Sequence, residues 1–252
     1  MKTKLTLLFL LLATTSFAQR SVSILGDSYS TYQGYITPET NETWYWDPWI
    51  DDRTDVSDVK QTWWWQVCAN CRLKLERNNS YSGATICYTG YNGDDYSARS
   101  FITRAKDLGS PDIILVFGGT NDSWAHSPLG ESKYSGWTKE DLKAYRPAMA
   151  CLGQYLYNRY PNTDVYFIQN TDLKPEVCKE MNEVCKRMGF TVITLHDISK
   201  TQGHPNIEGM KAIADQVTAV LKQSSQKRKA GKGERNGKRK RGHKRNKTSQ
   251  EP

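Results

Sequence analysis

The sequence lacks any apolar run long enough to cross a membrane. Its most apolar stretch, Leu5 to Leu12, is too short, because a spanning helix needs about 20 residues. Lys2 and Lys4 precede this stretch, and Ser16-Phe17-Ala18 follows it with small residues at the positions that matter for cleavage. This layout predicts a secretory signal over residues 1–18 that is removed on export. We therefore expect a secreted or periplasmic protein with no transmembrane segment.

The end of the chain lacks aromatic residues and has almost no apolar ones. From Lys222 to Pro252 it holds 13 Lys and Arg against 2 Glu, a net charge of +11. Such a segment cannot bury enough apolar surface to offset its conformational entropy, so we expect residues 222–252 to be disordered. The basic tail is suited to contact an anionic polymer or surface, although a solvated tail is the simpler expectation. We expect no specific nucleic-acid partner.

The body between these two segments is acidic. The whole chain carries +8 and the first 18 residues carry +2, which leaves −5 for residues 19–221. About 200 residues suffice for one domain with a complete core. We therefore place a single domain at residues 19–221.

The six cysteines lack the spacing of a zinc site. Cys68 and Cys71 form one Cys-x-x-Cys, but no second pair follows at ligand spacing, so we expect no bound metal. An even count in an exported chain permits disulfides, and the spacing does not give their pairing. Buried free thiols are the alternative.

The body alternates short apolar runs with amphipathic stretches. Strands are predicted at Ser21 to Leu25, Leu73 to Arg77, Ile113 to Phe117, Val165 to Gln169 and Thr191 to Leu195. Helices are predicted at Trp63 to Cys71, Ala98 to Leu108, Asp141 to Arg159, Pro175 to Met188 and Ile207 to Leu221. This alternation predicts an α/β domain with a parallel sheet and helices on both of its faces.

One segment, Tyr29 to Val59, is too long and too aromatic for an ordinary connection. It begins directly after the first strand, and ligands bind open parallel sheets at the carboxyl ends of their strands. We therefore interpret it as an ordered insertion beside the site. Trp44 and Trp46 within it, and Trp124 after a later strand, are candidates for substrate contact, because flat aromatic rings suit the apolar faces of sugars.

Four predicted strand ends carry chemically useful residues. Ser28, in Gly26-Asp27-Ser28, is a candidate nucleophile, but a serine needs a base and donors for the oxyanion. His204 is the candidate general base, because histidine is the residue whose unperturbed pKa suits proton transfer near neutral pH. Gly83 can present a bare backbone N–H, and Asn121 offers a side-chain amide. Together these residues predict a serine hydrolase site.

These motifs resemble the SGNH (GDSL-type) hydrolase superfamily. The matching blocks are Gly26-Asp27-Ser28, Ser82-Gly83, Gly119-Thr120-Asn121-Asp122 and His204-Pro205. The resemblance spans roughly residues 21–221. It implies a flavodoxin-like three-layer α/β/α sandwich with a five-stranded parallel sheet, and ester hydrolysis without a metal or another cofactor.

By the same resemblance, Ser28 attacks the acyl carbon and His204 accepts its proton. The oxyanion would lie between the backbone N–H groups of Ser28 and Gly83 and the side-chain amide of Asn121. One position departs from the family pattern, because Thr201 stands where members usually carry Asp three residues before the histidine. Either Asp197 orients the imidazole, or a backbone carbonyl does so in a Ser-His dyad.

The sequence thus predicts an exported serine ester hydrolase that deacetylates a carbohydrate ester through an acyl-enzyme on Ser28. Its substrate would be a small-molecule or polysaccharide ester. Two alternatives stay open. One is a lipid or lysophospholipid esterase, and the other is a catalytically impaired carbohydrate-binding module on the same fold.

Overall fold

The computed structural model describes residues 19–46 and 53–245, with side chains through residue 228. A five-stranded sheet, with all strands parallel, forms its centre in the order β2-β1-β3-β4-β5. The strands are β1 (Ser21–Gly26), β2 (Lys74–Ser80), β3 (Ile113–Phe117), β4 (Asp164–Gln169) and β5 (Thr191–Thr194). This confirms the predicted five-stranded parallel sheet. The predicted signal at residues 1–18 lies outside the described residues.

Helices cover both faces of the sheet. They are α1 (Trp63–Cys71), α2 (Phe101–Arg104), α3 (Thr120–Trp124), α4 (Tyr145–Arg159), α5 (Pro175–Met188) and α6 (Ile207–Arg245). Helices α1 and α6 share one buried cluster, and α2, α4 and α5 share the other. The predicted three-layer α/β/α sandwich is confirmed.

The central strand β3 shows why both faces must be covered. All five of its residues are buried. Ile113, Leu115 and Phe117 pack in the cluster with α1 and α6, whereas Ile114 and Val116 pack in the cluster with α2, α4 and α5. Because side chains alternate along a strand, an unbroken apolar run supplies two cores at once.

Two predicted helices are shorter than their sequence patterns. The stretch predicted from Ala98 is helical over Phe101–Arg104, because the Ser100 hydroxyl caps the start by accepting a bond from Thr103 N at 3.2 Å. The stretch predicted from Asp141 begins as a 3₁₀ turn, and α4 proper starts at Tyr145. Pro147 explains this late start, since proline is tolerated only within the first turn of a helix.

The prediction of disorder from Lys222 differs from the structure, because α6 continues without a break to Arg245. Lys, Gln, Arg and Ala favour helix. Each residue added to an existing helix also gains a hydrogen bond without the cost of a new nucleus. An ion pair between Arg228 and Asp164 links this extension to the domain. Residues 246–252 lie outside the described part.

Two further predictions concern the cysteines and membrane-spanning helices. All six cysteines are free thiols, which is the alternative to disulfide pairing. Among the residues that the structure describes, no helix combines the length and the apolar character needed to span a bilayer.

Candidate active site

Ser28 lies at the carboxyl end of β1, in a 3₁₀ turn formed by Ser28–Ser30. The carboxylate of Asp27 fixes the start of this turn, because its Oδ1 accepts a hydrogen bond from Tyr29 N at 3.1 Å. Gly26 is required before it, since a Cβ there would lie 2.6 Å from Ser30 and Ser80. The local sequence therefore places the serine hydroxyl at the edge of the sheet.

His204 is positioned by a short hairpin that follows β5. Strand β6 (Lys200–Thr201) pairs with β7 (His204–Pro205), and Gln202 and Gly203 form the turn between them. Both turn residues have positive φ, 48° and 77°. Positive φ at both central residues is the requirement of a type I′ hairpin turn.

Ser28 and His204 are in hydrogen-bond contact. The distance from Ser28 Oγ to His204 Nε2 is 2.9 Å, and His204 Nδ1 lies 3.2 Å from the carbonyl oxygen of Gln202. A carbonyl oxygen only accepts, so Nδ1 carries the proton and Nε2 presents its lone pair to the serine hydroxyl. This is the tautomer that a general base needs.

Asp197 does not take the orienting position that the sequence suggested for it. Its carboxylate accepts a hydrogen bond from the neighbouring His196 at 2.9 Å, and its side chain is 94 % exposed. The loop does not fold back, because the chain passes through the β6–β7 hairpin before it reaches His204. The backbone-carbonyl alternative is the one that the geometry matches.

Three aromatic rings surround the imidazole of His204. The indole of Trp44 lies parallel to it, with ring centroids 3.5 Å apart and the planes at 7°. Trp124 meets the imidazole edge-on at 5.8 Å, and Tyr29 lies at 5.3 Å in a tilted arrangement. Trp44 thus brings the predicted aromatic insertion directly onto the base.

This enclosure changes the acid–base behaviour of the histidine. Burial lowers the pKa of His204 to about 4, and the charges of Lys200 and Arg53 act in the same direction. The hydrogen bond to Gln202 acts against this lowering. The imidazole is therefore neutral, and able to accept a proton, throughout the neutral range.

Trp46, the third predicted contact residue, lies against the guanidinium of Arg53. The guanidinium carbon of Arg53 is 4.2 Å from the ring centroid of Trp46 and 5.2 Å from that of Trp44. Trp46 is half-buried, whereas Trp124 is 37 % exposed. Trp44 and Trp124 therefore border the reacting groups, and Trp46 lies against the guanidinium of Arg53, which also lies over Trp44.

Two backbone N–H groups at the site are without acceptors. Within the described residues, neither Ser28 N nor Gly83 N donates a hydrogen bond. Gly83 has a φ of +76°, a conformation that glycine adopts without strain. The structure therefore leaves two donors of the predicted oxyanion hole available for a ligand.

The side chain of Asn121 is fixed by two contacts. Its Nδ2 donates to the Ala84 carbonyl at 3.0 Å, and its Oδ1 accepts from the Tyr91 hydroxyl at 2.8 Å. Because an amide nitrogen carries two hydrogens, one N–H remains for an oxyanion. The sequence reasoning missed Tyr91, since no pattern signals a hydroxyl from a distant loop.

Asp122 has a structural role. Its carboxylate accepts hydrogen bonds from Ile86 N, at 2.9 Å to its nearer oxygen, and from Cys87 N at 3.2 Å. Burial raises its pKa to about 6, and these two bonds work against the rise. Asp122 thereby ties the third block to the loop that follows Gly83.

The arrangement combines the parts that acyl transfer requires. A serine hydroxyl contacts a neutral imidazole, the imidazole is held in the required tautomer, and free donors lie at two neighbouring strand ends. Nucleophile, base and oxyanion donors are what the attack of a serine on an acyl carbon needs.

Comparisons with known proteins agree with this geometry. The family described as GDSL-like Lipase/Acylhydrolase matches residues 20–221. A protein from Bacteroides ovatus described as a GDSL-like lipase is 51 % identical, with a TM-score of 0.80 over 82 % of this chain and 99 % of that one. A second such protein, from Bacteroides uniformis, is 50 % identical, with a TM-score of 0.79 over 81 % and 96 %.

More distant structures share the fold alone. A family two carbohydrate esterase from Cellvibrio japonicus is 15 % identical, with a TM-score of 0.55 over 81 % of this chain and 61 % of that one. No curated protein matches the chain.

Proposed function

Since this chain belongs to the GDSL-like lipase/acylhydrolase family of SGNH serine ester hydrolases, we propose that it removes short acyl groups, above all acetyl, from carbohydrate hydroxyls. The observation that carries the proposal is the 2.9 Å contact between Ser28 Oγ and His204 Nε2, bordered by two tryptophans. Acyl transfer to Ser28 and an aromatic substrate surface are the two parts of the proposal.

The first chemical step follows from the tautomer of His204. Ser28 Oγ attacks the acyl carbon while its proton moves to Nε2, and the imidazolium that forms keeps its Nδ1–H on the Gln202 carbonyl. A carbonyl dipole stabilises this cation less than a carboxylate does, because it carries no full charge. The pair therefore works as a Ser-His dyad with a main-chain orienter.

The negative charge that develops on the substrate oxygen is stabilised by the free N–H groups of Ser28 and Gly83 and by the remaining amide hydrogen of Asn121. Preorganised donors of this kind need no rearrangement during the reaction. The imidazolium then protonates the leaving sugar oxygen. In the second half, His204 takes a proton from water, which attacks the acyl-enzyme and frees Ser28.

The narrow access to the site supports a short acyl group. Ser28 is 3 % exposed and His204 is 6 % exposed, and Trp44 covers one face of the imidazole. A long acyl chain would have to displace the indole of Trp44. An acetyl group needs much less room.

The aromatic border supports a carbohydrate as the alcohol part. Trp124 is 37 % exposed and meets the imidazole of His204 in a T-shaped ring contact. A sugar that places its ester at Ser28 can rest an apolar face on this indole. Ser28 would then hold the ester group of the substrate, and Trp124 would hold its sugar.

Hydrolysis of p-nitrophenyl acetate, butyrate and octanoate by the wild type and by Ser28→Ala tests the ester part. We expect the acetate to react fastest, and the variant to lose on the order of 10⁴-fold or more in kcat. Ser110→Ala, which alters an exposed serine, is the matched control. Faster turnover of the octanoate would favour a lipid esterase, and no turnover of any ester would favour a binding module.

Acetylated xylo-oligosaccharides test the carbohydrate part. Replacing Trp124 with alanine should raise KM for these substrates by roughly three- to tenfold, which is the effect of one aromatic contact. KM for p-nitrophenyl acetate should stay nearly constant. Equal changes in both KM values would contradict a sugar-binding role.

We also propose that the protein acts after export, on the strength of the signal expected at residues 1–18, and that the basic extension of α6 contacts anionic polymers. The charge contrast supports the second point, since residues 222–252 carry +11 and residues 19–221 carry −5. Deleting residues 222–252 should abolish retention on an anionic polysaccharide resin at low salt without changing kcat.

A further inference from the structure

Arg104 lies buried behind the catalytic edge of the sheet, with 5 % of its surface exposed. Its Nε donates to the carbonyl of Arg99 at 2.7 Å, its Nη2 donates to the carbonyl of Gly26 at 3.0 Å, and its Nη1 donates to the carbonyl of Asn79. The guanidinium carbon is 4.8 Å from the ring centroid of Phe101. One side chain thus binds three main-chain oxygens.

Two of these oxygens mark the ends of neighbouring strands at the site. Gly26 ends β1 two residues before Ser28, and Asn79 lies near the end of β2 four residues before Gly83. The carbonyl of Gly26 also accepts from Tyr81 N at 3.2 Å. The guanidinium therefore connects the two segments that carry the free N–H groups of Ser28 and Gly83.

Helix α2 strengthens this connection in two further ways. The side-chain amide of Asn79 donates to the carbonyls of Arg104 and Asp107, at 3.3 and 3.4 Å. A Cβ on Gly118 would lie 2.4 Å from the ring of Phe101, so this ring packs directly against the segment that leads to Asn121. Helix α2 touches all three segments that supply the candidate oxyanion donors.

The charge of Arg104 also needs an explanation. Burying a cation costs several kcal/mol, so an apolar side chain would fill this space at lower cost if filling were its whole role. Burial lowers the pKa of Arg104 to about 9, which leaves it protonated at neutral pH. What arginine offers is a rigid, planar fork of N–H donors.

We propose that Arg104 is a positioning residue for the oxyanion hole, whose guanidinium fixes the ends of β1 and β2 so that Ser28 N and Gly83 N converge on one oxygen atom. This inference rests on the proposed ester hydrolysis. It assigns no contact between Arg104 and the substrate. Its effect is on the distance between the two donors.

Arg104→Lys and Arg104→Met test the proposal on p-nitrophenyl acetate. Lysine keeps the charge but reaches only one of the two strand ends, and methionine keeps the length alone. We expect kcat to fall at least tenfold in both variants, because loss of one oxyanion donor costs about 10²- to 10³-fold. KM should stay within about twofold, since the hole acts on the transition state rather than on the bound ester.

Binding of a boronic acid that forms a tetrahedral adduct on Ser28 gives a second readout. Its Ki should rise by the same factor by which kcat/KM falls, which a purely structural role would not produce. Arg146→Lys is the control, since Arg146 in α4 also donates to a main-chain carbonyl, that of Gly130 at 2.9 Å, but is partly exposed. It should leave kcat and Ki unchanged.

Three outcomes would overturn the proposal. The first is a lowered Tm with kcat and Ki equal to wild type at temperatures where the variant is folded. The second is wild-type kcat in Arg104→Lys, and the third is failure of both Arg104 variants to fold, which would make the residue structural. If the wild type itself hydrolyses no ester, the proposed function has failed and not this inference alone.

Discussion

The main-chain oxygen of Gln202 accepts a hydrogen bond from Nδ1 of His204 at 3.2 Å. In a Ser-His-Asp triad a carboxylate occupies this place. Here a two-residue turn with positive φ at Gln202 and Gly203 brings a backbone carbonyl to the imidazole instead. The orientation of the base therefore depends on the conformation of a hairpin and not on an acidic side chain.

Removing the Asp197 carboxylate, or the side chain of Thr201 at the position where the family usually carries Asp, should have little effect on kcat. We expect Asp197→Ala and Thr201→Ala to keep kcat within about threefold of wild type, whereas loss of a true triad carboxylate costs about 10⁴-fold. The Asp197 carboxylate is 94 % exposed and bonded to His196. His204→Ala serves as the inactive reference. A drop of tenfold or more in Asp197→Ala, at unchanged Tm, would restore the triad.

The turn itself should be sensitive at Gly203. An alanine there meets two obstacles, because the φ of 77° disfavours a side chain and its Cβ would lie 3.2 Å from Trp124. We expect Gly203→Ala to lower kcat by at least tenfold, since a shifted turn moves the Gln202 carbonyl away from His204. Gln202→Gly keeps the carbonyl and suits its φ of 48°, so it should stay near wild type. Steady-state kinetics of the two variants compare them directly.

The sequence predicted the nucleophile and the base, but it did not distinguish Asp197 from the Gln202 carbonyl as the group that orients His204. Ser28 and His204 could be matched because parallel strands end at one edge, and because each carries a side chain suited to its role. The orienting group is a main-chain atom, which every residue possesses. The positive φ values at Gln202 and Gly203 bring the Gln202 carbonyl to the imidazole. The Gln202-Gly203 pair predicts a hairpin turn, but it does not predict which carbonyl contacts the histidine.

The same limit applies to contacts made across the fold. The strand β3 was predicted with its observed bounds, because a short unbroken apolar run that ends at glycine is typical of a buried central strand. Tyr91 and Arg104 were not predicted, although the helix predicted from Ala98 to Leu108 would place Arg104 on one face with Phe101 and Leu108, which are both buried. A charged residue in a core position is the signal that could have found it. The extension of α6 was not predicted, because the composition of residues 222–252 was judged alone. It takes no account of the helix before Lys222, from which the extension continues.

The pH dependence of the reaction should reveal the enclosure of His204. The base must be neutral to act, so kcat/KM falls as pH drops through its pKa, which burial lowers to about 4. Trp44→Ala exposes the imidazole, and because desolvation is the main cause of the lowering, the acid limb should move up toward the ordinary value of about 6.5.

Trp44→Phe keeps a ring on the imidazole and should move the acid limb less than Trp44→Ala. Trp65→Ala changes a partly buried tryptophan outside the site and serves as the control. The profiles are measured with p-nitrophenyl acetate between pH 3.5 and 8, within the stable range of each variant. Identical acid limbs in wild type and Trp44→Ala would show that Trp44 does not desolvate the base.

Asp27 should make stability depend on pH in the direction opposite to most carboxylates. Burial raises its pKa from 3.8 to about 7, although the charge of Arg104 acts against the rise. The folded protein therefore binds a proton that the unfolded chain releases, and the associated stability is lost as pH rises from about 4 to 7. Asn cannot ionise, so Asp27→Asn should become more stable relative to wild type at pH 8 than at pH 5.

Urea unfolding of both proteins at the two pH values measures this difference. Asp95→Asn is a suitable control, because that carboxylate is exposed and its pKa is lowered by hydrogen bonds to Ser97. It should change relative stability in the opposite sense or not at all. A stability difference between Asp27→Asn and wild type that is the same at pH 5 and pH 8 would contradict a raised pKa in the folded state.

Tyr91 should contribute to catalysis through Asn121. Its hydroxyl donates to the amide oxygen at 2.8 Å, and burial raises its pKa to about 12, so it keeps its proton under assay conditions. Without this bond the amide can rotate, and its free N–H is no longer directed at the oxyanion. We expect Tyr91→Phe to lower kcat by roughly three- to thirtyfold with KM unchanged, less than the loss of an oxyanion donor outright.

Tyr96→Phe separates this effect from a general loss of a phenol. The ring of Tyr96 lies 6.4 Å from that of Tyr91 and packs against Arg99, but its hydroxyl makes no hydrogen bond within the described residues. Its kcat should equal that of the wild type. Because the bond acts only through Asn121, Tyr91→Phe should add nothing to an Asn121→Ala background, and a further fall in kcat in that double variant would assign Tyr91 a role of its own.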